Sequence, residues 1–228
     1  MKLSILMPVY NEEDRIADAV KQALAVAYPC EIELLIVDDG SRDGTGAALD
    51  RIDDDRVRVV RHERNQGKGA AIKTAADTAA GDYLVILDAD LEYDPDDIPK
   101  LLEPVLDGRA TVVYGNRTFG SHSAYSFWYV IGNKAVTMAA NVLYNSYIGD
   151  LETCFKLMPV SLYRSLRIRS RGFGMEAEIT GKLLRRKIRP YEVPISYRAR
   201  TREEGKKITW RDGVEALWIL ARERARRL

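Results

Sequence analysis

Apolar runs alternate with amphipathic stretches through the first hundred residues. KLSILMPVY (2–10) is nearly continuous in apolar side chains and is followed by EEDRIADAVKQALAVA, with helical spacing. EIELLIVDD (31–39) leads into GTGAALDRI. RVRVV (56–60) leads into a helical pattern from about Gln66 to Ala80, and DYLVILDAD (82–90) into a helix opened by Asp94-Pro95. Strands without strict alternation bury both faces, and strands separated by 10–15-residue helices predict βαβ units. The expected fold is α/β, a Rossmann-like, mostly parallel sheet flanked by helices. Ligands of such sheets sit beyond the carboxyl ends of the strands. PVYNEE, VDDGS and DADLE fall at three of those ends, so one pocket can collect all three.

The second half is less regular. TVVYGNR (111–117) reads as a strand, 126–147 as helical, and KLLRRKIRPYEVPISYRAR (182–200) as a helix end followed by a strand. The tail from Ile208 to Leu228 reads as a helix with Trp210, Val214, Leu217, Trp218 and Ala221 on one face. No repeat or long linker divides the chain.

With 228 residues and 46% apolar content, the chain can bury a full core. Cys30 and Cys154 lie far apart and follow no metal-ligand spacing, as expected of two idle thiols in a reducing compartment. The N-terminus lacks a cleavage pattern and reads as a first strand. Tyr125–Ile148 is interrupted by Asn133, Lys134 and Asn141, so no apolar run reaches the roughly 18 residues of a membrane span. The net charge of +1 hides an asymmetry. Residues 1–159 carry 16 Lys/Arg against 26 Asp/Glu, and residues 160–228 carry 19 against 8. That split suggests a cation site in the first part and an anionic partner for the second. No nucleic-acid partner is expected.

In YLVILDADLEYDP, four acids occupy alternate positions: Asp88, Asp90, Glu92 and Asp94. An extended chain would point them the same way, where like charges repel. An EF-hand loop would need Gly and Glu where Tyr93 and Pro99 stand. A D-x-D at a strand end instead offers two oxygen ligands to Mg2+ or Mn2+, with the remaining positions left for water and phosphates. The competing reading is a solvated acidic turn that caps the next helix, a role that suits Asp94. Gly40, Gly44 and Gly46 do not fit G-x-G-x-x-G, and Gly67 and Gly69 lack the P-loop spacing. Lys68, beside them, is placed to pair with the acids or a phosphate.

PVYNEE (8–13), VDDGS (37–41), DGT (43–45), NQGKGAA (65–71) and DADLEYDP (88–95), in this order and spacing, resemble the inverting family-2 glycosyltransferases with the GT-A fold. Within these, the chain is most similar to the polyprenyl-phosphate sugar synthases, such as the dolichyl-phosphate mannose synthases. YGNR (114–117), GDLETCFK (149–156), FGMEAEIT (173–180) and RTREEGKKITWRDG (200–213) resemble the later blocks of that group, so the likeness covers nearly the whole chain. Glu92 departs from the Gln usual in the mannose synthases, and GDLETCFK and EGKKI also differ, leaving GDP-mannose, UDP-glucose and UDP-N-acetylglucosamine open as donors.

The resemblance implies a single domain, 1–228. A nucleotide-sugar-binding half (about 1–95) would precede an acceptor half (about 96–228) that ends in the basic helix. Pro8, Tyr10, Glu12, Val37 and Asp39 would line the pocket of the base and ribose. Asp88, Ala89, Asp90 and Glu92 would hold the metal on the diphosphate, with Asp88, Asp90 and Glu92 as its ligands. Arg117 would contact phosphate near the reaction centre, with Lys134 as a second contact to the acceptor phosphate. Arg200, Arg202, Lys206 and Lys207 would form a basic loop over the donor diphosphate. Asp90, Arg117 and Asp150 would carry the chemistry. A polyprenyl phosphate, whose second pKa is about 6, is already ionised and needs no general base. Asp150 would then serve sugar hydroxyls or acceptor positioning. For a hydroxyl acceptor, Asp150 or Glu176 becomes the candidate base. The reading with such a soluble or cell-envelope acceptor stays open, as does a non-catalytic nucleotide-sugar or membrane-binding module. The expected location is cytoplasmic, at the inner face of an anionic membrane. The tail arginines would attract that membrane by about 1 kcal/mol each, or else favour the dipole of a simply packed helix.

Overall fold

The apolar runs become the centre of a sheet. β1 (Lys2–Val9), β2 (Glu31–Asp38), β3 (Val57–Arg61) and β4 (Tyr83–Ile86) run parallel, in the spatial order β3-β2-β1-β4. Leu3, Ile5, Leu6, Leu34, Ile36, Leu84 and Val85 are inaccessible to solvent because helices cover both faces. The structure, a computed structural model, describes residues 1–118, 120, 127–199 and 209–226.

The connecting helices are α1 (Ile16–Ala25), α2 (Thr45–Leu49) and α3 (Lys68–Thr78). α1 buries Ile16, Ala19, Val20 and Ala23, one stripe at helical spacing. After β4, Asp94 caps a single 3-10 turn, its carboxylate accepting from the Asp96 N–H at 3.0 Å, and α4 (Ile98–Leu106) follows. The cap role read from Asp94-Pro95 is therefore observed.

The second half extends the sheet. β5 (Val113–Asn116), β6 (Lys156–Pro159) and β7 (Tyr191–Pro194) complete the order β4-β6-β5-β7, with β6 antiparallel to both its neighbours. α5 (Phe127–Tyr144), α6 (Val160–Leu166), α7 (Met175–Arg185) and α8 (Trp210–Ala225) accompany it. α5, α7 and α8 share a smaller core that includes Val136, Ala140, Ala177, Ala216, Ile219 and Leu220.

α8 begins at a capping box, in which the Asp212 carboxylate accepts from the Thr209 N–H at 2.6 Å. It is tied to α7 at Glu223, fully buried, whose carbonyl accepts from Arg185 at 3.3 Å and whose carboxylate lies 3.9 Å from the same guanidinium. Ala216, Ile219 and Leu220 face inward, whereas Trp210, Val214, Leu217 and Trp218 face solvent. The apolar stripe read from the tail is thus the outer face of the helix, and the packing is done by the opposite one. α5 is built alike, leaving Phe127, Trp128, Ile131, Met138 and Val142 exposed.

Candidate active site

The carboxyl ends of β1, β2 and β4 open into one cavity of about 370 Å³. Pro8, Tyr10 and Glu12 line it beyond β1, Asp39 beyond β2, and Asp88, Ala89, Asp90 and Glu92 beyond β4. Val37 is fully buried within β2 and does not reach the wall. Tight backbone turns hold this rim. Gly40 has φ of +73°, and a Cβ there would stand 2.6 Å from the backbone carbon of Arg64. Asp39 fastens the same loop. It accepts from the N–H groups of Gln66 (3.0 Å) and Gly67 (2.7 Å) and lies 2.6 Å from His62 Nδ1.

The four acids do not share one face. β4 ends at Ile86, and Leu91 takes a left-handed φ of +62°, so the chain turns between Asp90 and Glu92. Each carboxylate is placed separately. Lys68, the first residue of α3, donates to Asp88 at 2.8 Å and lies 3.2 Å from Glu176. Burial pulls its ammonium down, but the anionic groups around it, Asp88 first, together outweigh that and hold it above its ordinary range. Asp90 accepts the Glu92 N–H at 3.1 Å, and the Tyr197 hydroxyl donates to Glu92 Oε2. Tyr197 also lies edge-on to Tyr93, with ring centres 5.3 Å apart.

Among the described residues, no group of three or more His, Cys, Asp or Glu side chains is gathered for a metal ion. The donor set nevertheless fits one. Asp88 and Asp90 bring hard oxygens to the same wall, and Mg2+ or Mn2+ completes its shell from water and phosphate. Glu92 reaches the same wall while engaged by Tyr197.

Arg117, just after β5, lines the pocket over the Tyr197 ring, 4.9 Å from its centre. Asp150 grips it from behind. Its carboxylate accepts from Arg117 Nε at 2.7 Å, Nη2 at 2.8 Å and the backbone N–H at 3.2 Å, and from Asn133 of α5 at 2.9 Å. Asp150 is fully buried and does not line the pocket. Burial pushes its carboxyl up, but the Arg117 guanidinium and the hydrogen bonds from Arg117 and Asn133 together hold it below the usual carboxylate range. With its lone pairs committed to four donors, this carboxylate has no capacity left to accept a substrate proton. Its geometry is that of a strut for Arg117. Lys134 stands exposed on α5, next to Asn133. Arg200, Arg202, Lys206 and Lys207 lie outside the described residues.

Two carboxyls on the β6 and α7 side complete the wall: Glu152, before β6, and Glu176, in the first turn of α7. Burial, then the Glu176 charge, pushes the Glu152 carboxyl up to about 7. Lys156, fully buried behind it, donates to the carbonyls of Leu151 (2.9 Å) and Thr153. Nothing in its residue type marks Glu152 in the sequence, where it is one letter of GDLETCFK. The contact from Tyr197 to Glu92 spans 105 positions and carries no local signal.

In α/β folds of this kind, ligands bind across the carboxyl ends of the strands, where this pocket lies. The family described as Glycosyl transferase family 2 matches residues 4–167, and the chain belongs to it. The dolichol-phosphate mannosyltransferase of Pyrococcus furiosus is 26% identical over 211 residues, covering 90% of this chain and 59% of its own. The undecaprenyl-phosphate 4-deoxy-4-formamido-L-arabinose transferase of Pseudomonas fluorescens is 36% identical over 135 residues, 55% of this chain and 38% of its own. The dodecaprenyl-phosphate galacturonate synthase of Rhizobium johnstonii is 36% identical over 115 residues, 45% of this chain and 32% of its own. The chain therefore spans less than two thirds of these relatives. Among solved structures, glucosyl-3-phosphoglycerate synthase from Mycobacterium tuberculosis, with Mn2+, UDP and glucosyl-3-phosphoglycerate, superposes with a TM-score of 0.74. It shares 20% identity over 97% of this chain and 79% of that one. At that identity the likeness establishes the GT-A fold, as the sequence predicts.

Proposed function

We propose that this chain is a metal-dependent inverting glycosyltransferase that moves a sugar from a GDP- or UDP-linked donor to a polyprenyl phosphate at a membrane surface. The observation that carries this reading is one pocket in which Asp88 and Asp90 face the cations Lys68 and Arg117. The nucleotide base would rest near Pro8, Tyr10, Glu12 and Asp39, and the diphosphate beside Asp88 and Asp90. Those two aspartates, with Glu92 if Tyr197 releases it, would hold Mg2+ or Mn2+, which when bound supplies positive charge to the leaving diphosphate. Arg117 is the chain's own contribution to that charge. Its guanidinium, fixed by Asp150 and Asn133, presents an oriented donor where negative charge gathers, without reorganising during the reaction. An acceptor phosphate ionised at neutral pH attacks without a base and needs positioning, for which Arg117 and Lys134 are the candidates. Arg200, Arg202, Lys206 and Lys207 would form a basic cover for the diphosphate.

The membrane surface is supported by the outward faces of α5 and α8. Trp128 and Trp218, 77% and 60% exposed, belong to the exposed apolar faces of α5 and α8, and Arg211 and Arg222 stack on Trp210 and Trp218 of α8. Aromatic side chains flanked by arginines suit the boundary of an anionic bilayer. No helix among the described residues is long and apolar enough to cross a membrane. We place the enzyme at the cytoplasmic face.

The test is release of nucleoside diphosphate from a donor panel, with and without polyprenyl phosphate in vesicles and with and without EDTA. Lipid-dependent, EDTA-sensitive release is expected, and Asp90→Ala should abolish it in a folded protein. Lipid-independent transfer would point to a hydroxyl acceptor, and absence of turnover with every donor would leave only a binding module.

A further inference from the structure

We infer that Glu152 and Glu176 form the sugar-recognition end of the pocket and select an uncharged hexosyl group over a uronic acid. The inference rests on the nucleotide-sugar reading above and names the donor class for that site.

The sheet order sets the direction. A donor with its base at the ends of β2 and β1 and its diphosphate at the end of β4 brings its next group toward β6, the neighbour of β4. Glu152 lies four residues before β6, and Glu176 opens α7 on the same wall. Each has an oxygen that needs a partner. Glu152 Oε1 and Glu176 Oε2 are buried and, among the described residues, accept no hydrogen bond. Glu176 as a whole is 4% exposed, and its other oxygen faces Lys68 at 3.2 Å. Buried carboxylate oxygens without donors are uncommon in native proteins, and a ligand that supplies donors resolves them. Sugar hydroxyls are such donors.

The same geometry works against a uronic acid. Its carboxylate is an acceptor only and would meet two acceptors. The two described cations on this wall are already engaged, Lys68 with Asp88 and Glu176, and Arg117 with Asp150 through two of its nitrogens.

Isothermal titration of the full chain with Mn2+ tests this. One series uses UDP, UDP-glucose and UDP-glucuronate, the other GDP, GDP-mannose and GDP-mannuronate. In whichever series binds, the hexosyl donor should bind at least about tenfold more tightly than the uronosyl one. Glu152→Ala should weaken the hexosyl donor about tenfold with the bare nucleotide unchanged, and Glu152→Gln should restore most of the loss. Equal affinity for hexosyl and uronosyl donors in the unmodified chain overturns the inference without any variant. A Glu152→Ala effect equal on nucleotide and nucleotide sugar overturns it too, and leaves the nucleotide-sugar reading standing. Failure of both UDP and GDP to bind overturns both.

Discussion

Replacing Asp150 by Asn keeps the shape of the side chain and removes its charge. Arg117 would keep a side chain only 15% exposed while losing the bidentate partner that compensates it, and the new amide hydrogens would point toward guanidinium donors. Breaking a buried ion pair from one side costs about 3–5 kcal/mol, against a typical total stability of about 5–15 kcal/mol. With a urea slope of about 3 kcal/mol/M for a domain of this size, the midpoint should fall by about 1–1.7 M. Pairing Asp150→Leu with Arg117→Met removes both charges at similar volume and should recover much of the loss. The assay is equilibrium urea unfolding followed by circular dichroism, with activity measured on the folded variants. A single-variant loss below about 1 kcal/mol, or intact stability with activity abolished, would refute the strut and return Asp150 to the role of base.

Gly40→Ala places a Cβ against the backbone of Arg64 at positive φ, which should cost about 1–3 kcal/mol by thermal or urea unfolding. An unchanged midpoint would mean that the loop gives way. Glu152 titrates higher in the folded chain than in the unfolded one. Its contribution is therefore complete below the unfolded pKa of about 4.3 and is lost as pH rises through about 7. The shift corresponds to about 4 kcal/mol at most, reduced by pocket water. Glu152→Gln should flatten the stability profile between pH 5 and 8, and a profile identical to that of the unmodified chain would contradict it. Trp128→Glu with Trp218→Glu should lower co-sedimentation with anionic vesicles at least tenfold without affecting unfolding, and undiminished binding would exclude these faces as the contact.

The sheet is legible because runs such as LSILM and ELLIV can only be buried on both sides, and the carboxyl-end rule then collects Tyr10, Asp39 and Asp88 into one pocket. α8 is legible as a helix but not in orientation. Both of its sides carry apolar side chains, and the buried side contains a charge, Glu223, whose partner on α7, Arg185, appears only in three dimensions. The pairing of Arg117 with Asp150 and of Tyr197 with Glu92 joins segments 33 and 105 residues apart, which no local pattern encodes. Alternation of the four acids misleads past Asp90, because Leu91 abandons the extended backbone on which the period of two depends.

Lys68 holds Asp88 in a pocket rich in carboxylates, so the site carries its own counter-ion. If Asp88 holds the proposed metal, a divalent cation arriving alone would compete with an ammonium already seated 2.8 Å from that carboxylate. One arriving with a diphosphate offers Lys68 a new anion in exchange. Metal and nucleotide should therefore each raise the other's affinity by the same factor, as linkage requires. In the proposed reading the lysine would act as a latch, leaving the site indifferent to free metal and responsive to the complex.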